Sequence, residues 1–158
     1  MEQSVPVVAL RRREDKRLRS GHLWVFSNEI DSIDGSVTAG DTVHVHDASG
    51  RFVGTGYINP HSLISVRLVS RSKVVLDSGF FAKRIGDAIA VRERLWPGEA
   101  VWRAVYGEAD LLPGLVVDRY GDAIVIQSLT AGVERHLDDI VDALSELLRP
   151  STIVLRND

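Results

Sequence analysis

A chain of 158 residues and 17.4 kDa has room for one ordinary domain or two small ones. Hydrophobic residues make up 44% and charged residues 26%, which excludes a disordered tail, a collagen-like rod and a disulfide-stapled miniprotein. A net charge of -3 from 19 basic and 22 acidic residues is too even to argue for or against nucleic acid.

At the start, a short apolar stretch precedes a run of arginines, the reverse of a secretory signal. No apolar run approaches the roughly 20 residues of a membrane helix. The expectation is a soluble, cytoplasmic protein without membrane contact. Val5 to Leu10 reads as a first strand. Arg11, Arg12, Arg13, Lys16, Arg17 and Arg19 then oppose only Glu14 and Asp15. Such a patch suits a phosphate backbone, although a solvated surface stretch has the same composition. In Gly21–Asn28, Trp24 and Phe26 alternate. Rings of this kind can stack on bases, but bulky aromatics usually fill cores, so both are placed inside and His22 outside with the arginines. Val43 and Val45 alternate with His44 and His46, a period of two. Asp47–Gly50 is turn chemistry. Phe52–Ile58 and Ile64–Val69 follow as strands, the first with two glycines that suggest a bulge or barrel corner. Short strands with glycine-rich turns argue for a small β-barrel.

The periodicity and the charge both change near Lys73. Residues 1–73 carry ten basic and eight acidic side chains; residues 74–158 carry nine and fourteen. Phe81, Ile85, Ala88, Ile89, Leu95 and Trp96 lie close to helical spacing, and Pro97-Gly98 stops the run. Strands are predicted over 102–106, 115–118 and 123–129, with a tight turn at Tyr120-Gly121-Asp122. Val133, Leu137, Ile140, Val141, Leu144, Leu147 and Leu148 then predict one long amphipathic helix, with Thr130 as its N-cap and Pro150 beyond its end. Thr152–Leu155 is a last strand, close enough to the C-terminus to suggest a fragment. The fold class expected is α+β: a barrel over 1–73, then an incomplete α+β domain over 74–158 with a β-hairpin and two helices.

Chemistry-bearing residues are few. His44 and His46 share a strand face but lack a third ligand, so an exposed face accounts for them better than a metal site. Glu108, Asp110 and Asp118 are candidates for acid–base work or Mg²⁺ binding, but the prolines and glycines around them fit a structural loop and hairpin equally. There is no cysteine, hence no thiolate ligand and no cysteine nucleophile in this chain. Gly54-Thr-Gly56 lacks the third glycine and helix of a dinucleotide fingerprint, and no G-x-S-x-G elbow occurs.

Several segments resemble one family. Arg13-Glu14, Leu18-Arg19, Gly21-His-Leu-Trp-Val-Phe-Ser27, Gly54-Thr-Gly-Tyr-Ile-Asn-Pro60 and Ile64-Ser-Val-Arg67 are similar to the start of bacterial ribosomal RNA cytosine-5 methyltransferases. The similarity continues through Gly107-Glu-Ala-Asp110, Leu112-Pro-Gly-Leu-Val-Val-Asp-Arg-Tyr-Gly-Asp122 and Leu155-Arg-Asn-Asp158. Leu23 stands where the family has proline in a His-Pro-Trp motif. The resemblance implies an RNA-binding PUA domain, a central α+β domain, and a Rossmann-like domain that binds S-adenosylmethionine and carries a catalytic cysteine. The third part is absent here, so no catalytic or cofactor residue is carried over. S-adenosylmethionine is expected in a full-length parent, and this chain alone cannot supply the thiolate that cytosine C5 methylation needs. What the resemblance does imply here is capture of ribosomal RNA. The residues chosen for it are Arg11, Arg12, Arg13, Lys16, Arg19 and His22, with Arg67. A stand-alone RNA-binding adaptor is the alternative, and a homo-oligomer is allowed.

Overall fold

The computed structural model describes residues 4–157. Met1–Gln3 and Asp158, the last residue of the Leu155–Asp158 segment, lie outside the described residues. The chain divides between Val74 and Val75 into two compact units.

The first unit is one six-stranded sheet. Its strands are β1 (Val7–Leu10), β2 (Trp24–Phe26), β3 (Ile30–Asp34), β4 (Thr42–His46), β5 (Phe52–Ile58) and β6 (Ile64–Ser70), in the spatial order β2-β6-β5-β4-β1-β3. All neighbours are antiparallel except β1 and β4. The two edges, β2 and β3, follow each other in the chain across a single 3-10 turn, Ser27–Glu29. So short a link forces the sheet to curl until its edges approach, which makes the half-barrel. The predicted corner is present in β5. A Cβ on Gly54 would lie 2.8 Å from the Ser70 carbonyl oxygen, and one on Gly56 would enter the Arg67 backbone. Only glycine lets β6 pass this closely, and the register slips between Thr55 and Gly56. Val8, Val25, Val43, Val45, Val66 and Leu68 line the concave core. The short helix α1 (Asp15–Arg19) contributes Leu18, fully buried in the same cluster.

The second unit sets a four-stranded sheet against helices. α2 (Ser78–Leu95) begins at Asp77, whose carboxylate accepts the Phe80 backbone N–H, a regular N-cap. It buries Phe81, Ile85, Ala88 and Ile89. Leu95 and Trp96, counted with this stripe by spacing, are instead exposed, because the helix ends there and Gly98 turns the chain at φ +79°. The strands are β7 (Val101–Tyr106), β8 (Leu115–Tyr120), β9 (Ala123–Ser128) and β10 (Thr152–Leu155), in the order β10-β9-β8-β7. Gly121-Asp122 closes the predicted hairpin, Tyr120 facing Ala123. β10 runs parallel to β9, so a crossover must join them.

That crossover differs from the single helix predicted. It is two helices, α3 (Ala131–Arg135) and α4 (Leu137–Leu148), interrupted at His136. His136 leaves helical geometry at φ -106° and ψ 19°. Its ring packs against Phe81, with centroids 4.9 Å apart. The break lets α3 stay on β9 while α4 turns its buried Ile140, Ala143 and Leu144 onto α2. Thr130 is the N-cap expected: its hydroxyl accepts the Val133 N–H. Pro150 follows the end, with Arg149 left-handed at φ 46°.

Candidate nucleic-acid interface

The basic segment lies between β1 and β2 of the half-barrel and is fastened at three points. First, Arg11 is tied to β3: its backbone N–H donates to the Glu29 carbonyl at 2.9 Å and its Nε to the Ile30 carbonyl at 3.0 Å. A turn follows, with Arg13 at φ 72°. Second, Arg17 pairs with Glu29, a carboxylate only 6% exposed that also accepts the Phe26 N–H at 2.8 Å. Third, Arg19 donates to Asp15 at 2.7 Å and to Asp47 at 2.8 Å.

Asp47 is the densest node of this surface. It is 4% exposed. Its Oδ1 accepts the Ser49 N–H, the Ser49 hydroxyl and the Arg51 N–H; its Oδ2 accepts Arg51 Nε and Arg19 Nη2. These bonds, those from Ser49 foremost, hold the carboxyl far below its ordinary range, against the opposing effect of burial. A buried carboxylate with so many donors is a structural anchor for the cations around it.

The seven residues selected from sequence therefore take different positions. Arg11, Arg12, Arg13 and Lys16 are exposed, and Arg12, Arg13 and Lys16 have no ion pair among the described residues. Arg19 is exposed but committed to two carboxylates. His22 is exposed, and its carbonyl accepts Arg71 Nη2 at 3.0 Å. Arg67 faces Trp24 across the β2–β6 pair, its guanidinium 5.3 Å from the indole centroid. The assignment of Trp24 and Phe26 to the core is corrected: Val25 between them points inward and is fully buried, whereas Trp24 is 38% exposed and Phe26 half-buried. In so short a strand the single inward place opposite Val66 goes to Val25. Sequence reading also passed over Glu29, Asp47 and Arg71 as site residues. The signal for Asp47 was its Asp-x-Ser-x-Arg turn, in which side chain and backbone close on each other.

The other candidates do not assemble. His44 and His46 are half-buried rather than exposed, edge-on to Phe52 at 5.5 and 6.0 Å. Burial, with Lys73 and His46 nearby, lowers the His44 pKa. In the second unit, Asp110 receives both terminal nitrogens of Arg92 and the Tyr106 N–H, while Asp118 pairs with Arg103 across the β7–β8 pair. Asp110 and Asp118 are each occupied by a different arginine, so the three carboxylates Glu108, Asp110 and Asp118 do not offer a set of free groups for one catalytic cleft. No group of three or more metal-ligating side chains occurs among the described residues, and none of their helices is long and apolar enough to cross a membrane.

Comparison with known proteins places this geometry. Residues 8–71 match the family model for a PUA-like domain. The ribosomal RNA large subunit methyltransferase I of Alteromonas mediterranea is 39% identical over 96% of this chain, and that of Pseudoalteromonas translucida 38% over the same share. The chain is homologous to the amino-terminal, PUA-containing region of ribosomal RNA large subunit methyltransferase I. It spans about 39% of the length of these methyltransferase I relatives. The fold agrees. A Streptococcus mutans structure named as a SAM-dependent methyltransferase superposes with a TM-score of 0.79 at 20% identity, over 95% of this chain and 40% of that one. SMU.776, named as a methyltransferase and solved with SAH, gives 0.80 with the same coverage and identity. The methyl donor does not fit the residues present. In the crossover from β9 to α3, the helix N-terminus is taken by the chain's own Thr130, and the link Leu129-Thr130 has no glycine.

Proposed function

We propose that this chain captures and orients ribosomal RNA for a methyltransferase whose catalytic part lies in the length of the methyltransferase I relatives that it does not span. Cytosine C5 methylation and the binding of S-adenosylmethionine belong to that other part. The observation that carries the reading is a set of unpaired cations, Arg12, Arg13 and Lys16, on a segment fastened to the half-barrel by Glu29 and Asp47. A rigid array of unpaired cations contacts phosphates without first breaking its own ion pairs, and each contact releases counterions. Arg11 and His22 extend this surface. Arg19 acts as its positioning residue, and Arg67 serves through Trp24.

The test is binding of the purified chain to a ribosomal RNA hairpin across a salt series. Affinity is expected to fall linearly with salt on logarithmic axes. Arg12→Glu with Arg13→Glu should reduce that slope by about two contacts, each worth roughly 0.7–0.9. Salt-independent binding, or an unchanged slope in the double variant, overturns the reading.

A further inference from the structure

The outer surface of β2 carries a feature that phosphate contact does not use. Trp24 lies on an edge strand and is 38% exposed, although the inward place at the next residue is filled by the much smaller Val25. Arg67 lies over the indole at 5.3 Å, Phe26 stands edge-on to it at 6.4 Å, and Arg17 covers Phe26 at 5.2 Å. Guanidinium, indole, phenyl and guanidinium thus form a continuous ladder along the strand. Leu63, whose carbonyl accepts the Ser27 N–H, continues the apolar edge at 69% exposure.

We infer that Trp24 is a stacking platform for an unpaired nucleobase, held between Arg17 of α1 and Arg67 of β6; this rests on the RNA-capture reading. Three observations favour RNA as the occupant. The rings are covered by Arg17 and Arg67, and Arg71 bonds the carbonyl of exposed His22, two residues before Trp24. Glu29, the partner of Arg17 in the ladder, is a buried carboxylate already neutralised by that pair. Of the unpaired cations, Lys16 lies on α1, the helix that supplies Arg17, and Arg12 and Arg13 lie in the turn just before it. An aromatic face set in a cationic surface binds single-stranded bases irrespective of their identity, and unpaired bases are what proteins read in RNA. Trp24 thereby selects a loop, bulge or flank over continuous duplex, while the basic segment supplies the strength of binding.

The experiment uses two RNA hairpins that differ only in a short 3′ flank, one of adenosines and one of abasic residues. Phosphate number is the same in both. The wild-type chain is expected to bind the adenosine flank about tenfold more tightly. Trp24→Ala should bind both alike, with an unchanged salt slope, and Trp24→Phe should keep most of the preference. Thermal unfolding of both variants checks that the sheet is intact, and Trp24→Phe keeps the test open if the alanine variant does not fold. A preference that survives in Trp24→Ala overturns the inference. So does equal wild-type binding to both flanks with a normal salt slope, which leaves RNA capture standing and makes the ladder a protein-contact surface. Salt-independent wild-type binding overturns both.

Discussion

Asp47 shows how one residue can organise a surface that it does not itself present. Its partners come from two places in the chain: Arg19 on α1, and Ser49 and Arg51 in the turn after β4. Its carboxyl is held below the ordinary value of 3.8. The native state therefore favours the charged form. This contribution to stability is complete above pH 3.8 and is lost as pH falls through the depressed folded value. Asp47→Asn removes the charge with little change in volume. The difference in unfolding midpoint between wild type and Asp47→Asn should be largest near neutrality and shrink below pH 4. Burial lowers the pKa values of His44 and His136. Their neutral forms are favoured in the fold, so stability is also lost as pH falls below 6.5, in both proteins equally. A midpoint difference that stays constant down to acid pH would remove Asp47 from this role. Arg19 should lose its fixed position in the variant, and RNA affinity should fall with it.

Among the elements, legibility followed the length of the pattern. β4 was readable from its strict alternation, β5 and β6 as runs of apolar and β-branched residues set off by turn residues, and the hairpin because Gly121 sits between two apolar runs. β2 has only three residues, so alternation reports that Trp24 and Phe26 share a face without saying which face is inside. β3 buries none of its residues fully and shows no usable period. α1 is shorter than two turns and is held by tertiary ion pairs, which sequence periodicity does not register. The interruption at His136 was hidden because α3 and α4 together keep an apolar stripe, and only packing against Phe81 divides them. The basic residues of the candidate site were legible as a cluster, whereas their division into anchors and unpaired cations depends on carboxylates far away in sequence. The Leu-Pro-Gly segment shows the same coupling at the start of α3. Gly114 is at φ +85°, and a Cβ there would strike the Thr130 side chain that caps the helix. Gly114→Ala should cost about 1 kcal/mol from the positive φ alone, plus the collision. Chemical denaturation should show a total loss well above that figure, partly restored by Thr130→Gly, which removes the obstructing side chain. Strict additivity of the two changes would show that the residues do not touch.

For the molecule as a whole, the uneven charge distribution matters more than its sum. A net charge of -3 repels RNA at long range, yet the half-barrel carries Arg12, Arg13 and Lys16 within one short segment, without ion pairs among the described residues, while acidic residues predominate in the second unit. Within a Debye length of about 8 Å at physiological salt, the local face governs contact. Two pairs of substitutions separate these effects. Arg12→Glu with Arg13→Glu, and Lys83→Glu with Arg94→Glu, each lower the net charge by the same four units. All four side chains are exposed. If the half-barrel face is the interface, the first pair should weaken hairpin binding by about tenfold or more and reduce the salt slope, whereas the second should shift affinity by no more than about twofold. Equal losses would mean that the overall field controls association, and the geometry around Glu29 and Asp47 would then be a matter of stability alone.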